Sequence, residues 1–443
     1  MLPRTSFYVG AQPLVRGWDE EVNLSKRTSA FTVYMILEFS SALFFSLIFT
    51  VDMIYHVTVV GLSPLQLVLV GTILETTVFI FEIPTGVLAD VKSRRLSVII
   101  GYVLIGVGFI VEGSFPFFWT VALAQVLWGF GYTFTSGATQ AWIADEVGQA
   151  RVGQAFLRGS QAASAGSLLA IPISVVLGRA EVSLPILLGG VMMVLLAAFL
   201  SLVMSEKGFT PTPPEERTTW GLMLRTVSDA RKLVRRQPLL LTLLAIGLFY
   251  GLYSEGLDRL WTPHLLENFS LPSMGVVEPV VWFGVIRAVA LLVSLVATET
   301  ARRRVDTNRS VPIARALLLD AALIVVALVG FGLTRDFWIA LLLYWLIGTL
   351  RSIIGPLYAT WFNLRIDDPQ VRATMFSISS QVDAIGQIGG GPGVGVIGNA
   401  SIRAALVVSA LLLSPVLPLY GFAMRRGREI EAAEVYEPEC LGS

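Results

Sequence analysis

Charge is scarce in this sequence. Of its 443 residues only 14% are Asp, Glu, Lys or Arg, where soluble globular domains carry about 25%. Hydrophobic residues make up 54% and the mean hydropathy is +0.72. That balance excludes an ordinary water-soluble domain and places most of the chain in a bilayer. Lys+Arg and Asp+Glu both total 32, so there is no positive excess to suggest nucleic acid as a partner. Cysteine is limited to Cys440, which excludes an intrachain disulfide. Histidine is limited to His56 and His264, both near outer ends of apolar runs, where they read as surface residues. There is no G-x-x-x-x-G-K-[ST], because Lys92-Ser93 lacks the preceding glycine, and no H-E-x-x-H. A nucleotide-driven pump and an intramembrane enzyme are therefore not expected, nor is any metal or cofactor. The first 29 residues, with Asp19, Glu20 and Glu21, have no apolar core and do not read as a cleaved signal peptide.

Long apolar runs are what the sequence has in abundance. A bilayer core needs about 20 mostly apolar residues per helix. Twelve runs fit: Phe31–Tyr55, Pro64–Val87, Leu96–Val111, Phe117–Ala141, Gly153–Leu177, Leu184–Met204, Pro238–Trp261, Pro279–Val296, Val311–Gly332, Phe337–Trp361, Ala373–Ile397 and Ala404–Ala423. The third is short and the eleventh is rich in glycine. An all-α integral membrane protein of twelve spans is expected.

Lysine and arginine set the orientation. Alternate connections, those shared with the two termini, hold nearly all of them. The opposite connections hold only Arg179, Arg335 and Arg403, while Arg158, Arg259, Arg287, Arg315 and Arg351 fall within or at the edge of runs. Both termini are expected in the cytoplasm of a cell whose plasma membrane holds the chain. The longest internal polar stretch, 205–237, begins with a Pro-rich segment, "TPTPPEER". Trp220, Leu224, Val227 and Val234 then recur at helical spacing among Arg225, Arg231, Lys232, Arg235 and Arg236, which predicts a basic amphipathic helix on the inner leaflet. This linker divides a six-helix bundle over 30–204 from a second over 238–424. A tail precedes the first bundle (1–29), and a short acidic, unstructured tail follows the second (425–443). Six spans plus six around a linker is a transporter architecture.

"GVLADVKSRR", Gly86 to Arg95, lies between the second and third spans. It resembles the loop signature of the major facilitator superfamily, roughly G-x-L-A-D-R-x-G-R-R. Val91 and Ser93 depart from that pattern. "FEIPTGVLAD", "SGATQAWIADE", "GLYSEGLDRLW" and "SSQVDAIGQIGGGPGVG" resemble the drug:proton antiporter branch that includes macrolide- and tetracycline-efflux proteins. The resemblance implies two six-helix bundles, alternating access, proton-coupled efflux of small amphipathic organic compounds, and a monomer. It also implies a cytoplasmic latch in which Asp90 contacts the start of span eleven and Arg94, with Arg95 beside it, reaches Asp145, while Gly86 allows close packing of span two. In the wider antiporter pattern an arginine stands where this chain has Gln125. A specific metabolite, exported or imported, is the alternative cargo, and a non-transporting sensor is the alternative class.

Charges inside the runs carry the chemistry. A charged side chain at mid-bilayer costs several kcal/mol unless it faces a cavity or a partner. Glu75 lies near mid-membrane and Glu38 in the cytoplasmic third. Arg287 and Asp320 lie near the middle of spans eight and nine. Arg351 and Asp383 sit at matching depths in spans ten and eleven and are candidates to pair. Glu255 and Arg259 are i,i+4 on one face of span seven, with Asp258 beside them, near the outer end. Burial raises a carboxylate's pKa and a nearby cation lowers it, so alternating access can load and release a proton. Glu75 and Asp383 are the first candidates, then Glu38 and Asp258. No basic residue in spans one to four is available to neutralise Glu75.

Aromatic residues supply the candidate cavity wall: Phe39, Phe44 and Phe45 in span one, Trp128 and Tyr132 in span four, Tyr250 and Tyr253 in span seven, Tyr344 and Trp345 in span ten. Their ring faces suit amphipathic compounds and cations. If the latch operates, Asp90→Asn reduces transport while membrane insertion, read by fractionation, stays intact; wild-type turnover would remove the latch.

Overall fold

The computed structural model describes residues 29–211, 238–272, 279–306, 310–364 and 369–436. Among them there are fifteen helices and no strand. They are α1 (Ala30–Phe49), α2 (Asp52–Thr58), α3 (Pro64–Val91), α4 (Arg94–Ser114), α5 (Phe118–Thr135), α6 (Ala138–Val147), α7 (Gln149–Ala180) and α8 (Leu184–Val203), followed by α9 (Pro238–Asn268), α10 (Pro279–Arg304), α11 (Ser310–Leu333), α12 (Phe337–Asn363), α13 (Pro369–Ala400), α14 (Ile402–Leu413) and α15 (Val416–Tyr436). All twelve apolar runs are helical. Among the described residues ten segments are long and apolar enough to cross a membrane; the polar-studded fourth run (α5 and α6) and the glycine-rich eleventh (α13) fall outside that set.

Side-chain caps fix several helix starts. Ser29 accepts from the Thr32 amide, Ser93 from Leu96, Asp336 from Ile339 and Ser401 from Ala404. Ser63 and Gln66 form a reciprocal capping box before Pro64, which occupies the first turn of α3. Each cap satisfies an amide that the helix itself leaves without an acceptor.

The helices associate in two groups. α1 packs on α7 and α8, α4 on α5 and α8, and α3 on α5. In the second group α9 packs on α13 and α14, α11 on α12 and α14, and α10 on α12. Four pairs cross between the groups: α3 with α13, α3 with α9, α7 with α10, and α2 with α9.

The tightest crossing lies at the end of the molecule away from the termini. There Leu65 donates its backbone amide to Asn399 Oδ1 at 2.9 Å. Gly391 and Gly395 of α13 lie directly against α3. A Cβ on Gly391 would meet Thr72 Oγ1 at 2.9 Å and Val68 Cγ1 at 3.0 Å, and one on Gly395 would meet Leu65 at 3.1 Å. The glycines of the eleventh run are thus spent on close helix approach.

Two expectations about chain organisation change here. The C-terminal stretch from Arg428 reads in sequence as an unstructured tail, yet α15 runs on as helix to Tyr436. The break at Thr50–Val51 splits the first run into α1 and α2, turning the side chains of Asp52, Tyr55 and His56 inward. The amphipathic segment Trp220–Val234 and the N-terminal tail lie outside the described residues.

Gly391→Val forces α3 and α13 apart. With Cys440 replaced by Ser, a cysteine introduced at Asn399 should then label with a water-soluble maleimide several-fold faster. Unchanged labelling would show that the seam is not held by this contact.

Candidate functional site

A cavity of about 690 Å³ lies between the two groups, on the terminal side of the α3–α13 seam. α3 contributes Glu75, Phe79 and Glu82, and α5 contributes Trp128 and Tyr132. α9 contributes Tyr250, Tyr253 and Asp258, and α12 contributes Arg351 and Tyr358. α13 adds Ser379, Gln381, Asp383 and Gln387. Four carboxylates thus face one guanidinium, and aromatic rings fill much of the remaining wall.

The single cation is tied up. Arg351 forms a two-pronged pair with Asp258, Nη2 to Oδ2 at 2.8 Å and Nη1 to Oδ1, and its guanidinium lies 5.7 Å from the centre of the Tyr253 ring. This corrects the expected Arg351–Asp383 pair. The cause is the length of α9. The apolar run stops at Trp261, but the helix continues to Asn268, about 10 Å further at 1.5 Å per residue. Asp258 therefore sits deeper than the end of the run suggests and meets Arg351 first. Asp383 instead accepts from Gln387 Nε2, one turn on, at 2.8 Å. Glu82, absent from the sequence expectations, accepts from Gln381 Nε2 across the two groups at 3.2 Å. Its signal was available, since it lies seven residues after Glu75, on the same face of a 3.6-residue helix.

Glu255 and Arg259 do pair, at 3.4 Å, and both are well buried. They rest on Gly71 of α3: a Cβ there would lie 1.9 Å from Glu255 Oε2 and 2.6 Å from Arg259 Nε. Gly71 is one turn before Glu75. No basic residue from spans one to four is among the described lining residues, while span seven brings Arg259 to Gly71.

Other candidates lie elsewhere. Glu38 does not line the cavity; it lies on α1, one turn after the buried Tyr34. The Phe39 carbonyl packs on Gly166 of α7. Tyr344 stacks on Trp261 with centroids 4.4 Å apart, and Trp345 Nε1 donates to the Ile286 carbonyl at 3.0 Å. Phe45 packs with Phe49, Phe109 and Trp128. Gln125 points at Glu112 of α4, not at the cavity, with Nε2 3.4 Å from Oε2.

Both histidines overturn the surface reading, being 0% exposed. His264 Nε2 lies 3.0 Å from the Phe331 carbonyl, within α9's extension past Trp261. His56 Nε2 lies 2.7 Å from Glu112 Oε1. Arg287, at mid-span as expected, donates to the Phe49 carbonyl at the C-terminus of α1, at 2.6 Å. Asp320 is buried in α11 and lies outside the cavity wall.

At the terminal face Arg94 bonds the Asp145 carboxylate, donates to the Ala141 carbonyl at 3.1 Å, and has Asp90 at 3.4 Å. Hydrogen bonds to charged groups contribute about 1.5–3 kcal/mol each. Ser93, where the loop signature has glycine, caps α4 and bonds Glu206 Oε2 at 2.6 Å. The Arg95 amide takes the other oxygen at 3.0 Å, and its side chain reaches the Ser201 carbonyl. Glu146 accepts from Ser205 Oγ and from the amides of Lys207 and Gly208. These contacts all lie within the first group. Gly86 is open, with nothing within 4 Å of an added Cβ, so the close packing expected there is absent. The expected partner of Asp90, the start of span eleven, is the first part of α13, helical from Pro369, whose side chains up to Thr374 lie outside the described ones.

Two helical groups around a central charged cavity, sealed at one end, are the geometry of a secondary transporter rather than an enzyme. Residues 30–393 match the sequence profile of the Major Facilitator Superfamily, and the chain belongs to that superfamily. It is 24% identical over 359 residues to the uncharacterized MFS-type transporter YxaM of Bacillus subtilis (strain 168), covering 80% of this chain and 86% of the relative. Among solved structures it is similar to a point mutant of the nucleoside transporter NupG, with a TM-score of 0.73 and 12% identity, over 89% of this chain and 100% of that one. It is also similar to a bacterial homolog of the human lysosomal transporter Spinster (TM-score 0.65, 15% identity, 90% and 97% covered) and to a peptide transporter POT (TM-score 0.65, 16% identity, 89% and 95% covered). At these identities the likeness is one of fold.

Arg351→Gln strands Asp258 and should lower the melting temperature in detergent. The pair is part-exposed, which limits the cost to about 1–2 kcal/mol. Adding Asp258→Asn should recover most of the loss; no recovery would show that the two residues are not coupled.

Proposed function

We propose that this chain is a proton-coupled exporter of small amphipathic organic cations, working by alternating access in the plasma membrane. The observation that carries this reading is the cavity's charge. Four carboxylates face one guanidinium that is already matched by Asp258, so Glu75, Glu82 and Asp383 are left to a cationic guest. Tyr250, Tyr253, Trp128 and Tyr132 offer ring faces to the same guest. Glu75 and Asp383 are the proposed coupling acids, with Glu38 and Asp258 behind them. A carboxylate that alternately meets a cationic substrate and a proton exchanges one for the other without leaving net charge in an apolar wall. The resemblance to drug:proton antiporters supports the outward direction. With both termini in the cytoplasm, the state described has its seam on the outer face and is ready to load from inside. In this reading 30–204 and 238–424 are the two moving bundles and 205–237 is their linker.

A second reading, transport of a specific polar metabolite, is favoured by Gln381, Gln387 and Ser379 on the α13 wall, which suit a guest rich in hydrogen-bonding groups. The nucleoside and peptide transporters of similar fold are compatible with it.

Expression in an efflux-deficient bacterium should raise resistance to lipophilic cations more than to neutral or anionic amphiphiles, and an uncoupler should abolish the gain. Resistance that is indifferent to substrate charge would favour the second reading. In proteoliposomes, Glu75→Gln or Asp383→Asn should reduce substrate-driven proton movement about tenfold or more, the scale of losing one proton-transfer group. Unchanged coupling in both variants would remove these two residues from the mechanism.

A further inference from the structure

Beyond the cavity, at the opposite end of the first group, three buried ionisable side chains converge without reaching the transport path. Asp52 and His56 lie one turn apart on α2, and Glu112 comes from the last turn of α4. Asp52 is 5% exposed, and His56 and Glu112 are 0% exposed. His56 Nε2 is 2.7 Å from Glu112 Oε1 and 3.6 Å from Asp52 Oδ1, and one ligand atom from each of the three lies within 4.8 Å of the others. Gln125 of α5, 1% exposed, brings its amide to the same point: Nε2 faces Glu112 Oε2, while Oε1 has no hydrogen-bond partner. Asp52 Oδ1 and His56 Nδ1 also lack partners.

Hydrogen bonding alone leaves this cluster short of positive charge and of donors. Two buried carboxylates face a single imidazole. The neighbouring cations are otherwise engaged, Arg259 with Glu255 and Arg287 with the Phe49 carbonyl. We propose that Asp52, His56 and Glu112, with Gln125 Oε1 as a fourth donor, form a binding site for a divalent first-row transition ion. One imidazole nitrogen with two or three oxygens is a donor set for zinc or manganese rather than for a soft, thiolate-seeking ion. Ligands at about 2.0–2.2 Å from one ion lie roughly 3–4 Å apart; of the two separations from His56, 3.6 Å lies in that range and 2.7 Å just below it. The two positive charges of the ion match the two carboxylates. The i,i+4 placement of Asp52 and His56 puts both on one face of α2, so the ion ties this short helix to α4 and α5. That fixes the platform on which the second group docks, since α2 packs on α9 and Arg287 donates to the Phe49 carbonyl just ahead of α2. The site does not depend on what the cavity carries.

The full chain, purified in detergent without chelator or a histidine tag, should hold about one zinc or manganese ion per molecule by elemental analysis. His56→Gln and Glu112→Gln should each cut that content at least about tenfold, the usual scale for loss of a ligand or of its support. Cys440→Ser should leave it unchanged. Chelator-stripped wild type should rise in melting temperature on adding Zn²⁺, as ligand linkage requires. X-ray absorption of that sample should show an imidazole and oxygens around zinc, and no sulfur. The stripped sample keeps the test valid if either variant fails to fold. No co-purifying ion together with no Zn²⁺-dependent shift would overturn the proposal and leave a hydrogen-bonded triad. Full metal content in a folded His56→Gln variant, or sulfur in the shell, would also overturn it.

Discussion

A carboxylate inside an apolar slab needs a cation, donors or open water, and that requirement organises this molecule. Asp258 has Arg351, Glu255 has Arg259, Asp383 has Gln387, Glu82 has Gln381, and Glu112 has His56 and Gln125. Arg259 and Gln387 come from the same helix one turn away, and the other partners come from a different helix. The carboxylates that keep open space around them, Glu75, Glu82, Asp258 and Asp383, mark the cavity. Charge placement and cavity placement are therefore one solution to one problem. The α3–α13 seam belongs to the same solution, because contact at one end leaves the cavity acids facing the other.

The terminal-face loop shows the same economy. Its signature departs from the superfamily pattern at Ser93, and the departure has a use. Serine caps α4, where glycine has no side-chain oxygen, and it shares Glu206 with the Arg95 amide. The residues just after α8 are held down by Glu146 and by the Trp142 indole, which donates to the Ser205 carbonyl at 2.6 Å. The beginning of the linker is thus part of the first group rather than free chain.

The helical class and the positions of the spans were legible because apolar runs are local signals. Glu75, Asp258, Arg351 and Asp383 were legible as wall residues because a charge in such a run has few other uses. Pairing was not legible, because it depends on where a helix ends. The extension of α9 beyond Trp261 carried Asp258 inward and buried His264. The break after α1 did the same for His56, since a short interruption inside an apolar run leaves no mark in hydropathy. Of the aromatic candidates, Trp128, Tyr132, Tyr250 and Tyr253 reach the cavity. Phe39, Tyr344 and Trp345 do not, because composition says which spans are aromatic but not which way a helix is rotated.

Gly71 is where a hydrogen atom in place of a methyl group sets the dielectric around an ion pair. The Glu255–Arg259 pair is covered by the bare backbone of the opposite helical group. Were α3 to withdraw, as alternating access requires, water would take the place of that backbone, and Coulomb attraction weakens several-fold between a protein interior and bulk solvent. The pair would then be tight in one arrangement of the two groups and loose in another, with no change needed in its own helix or partner. Its strength follows the separation of the two halves as a strain gauge follows a load.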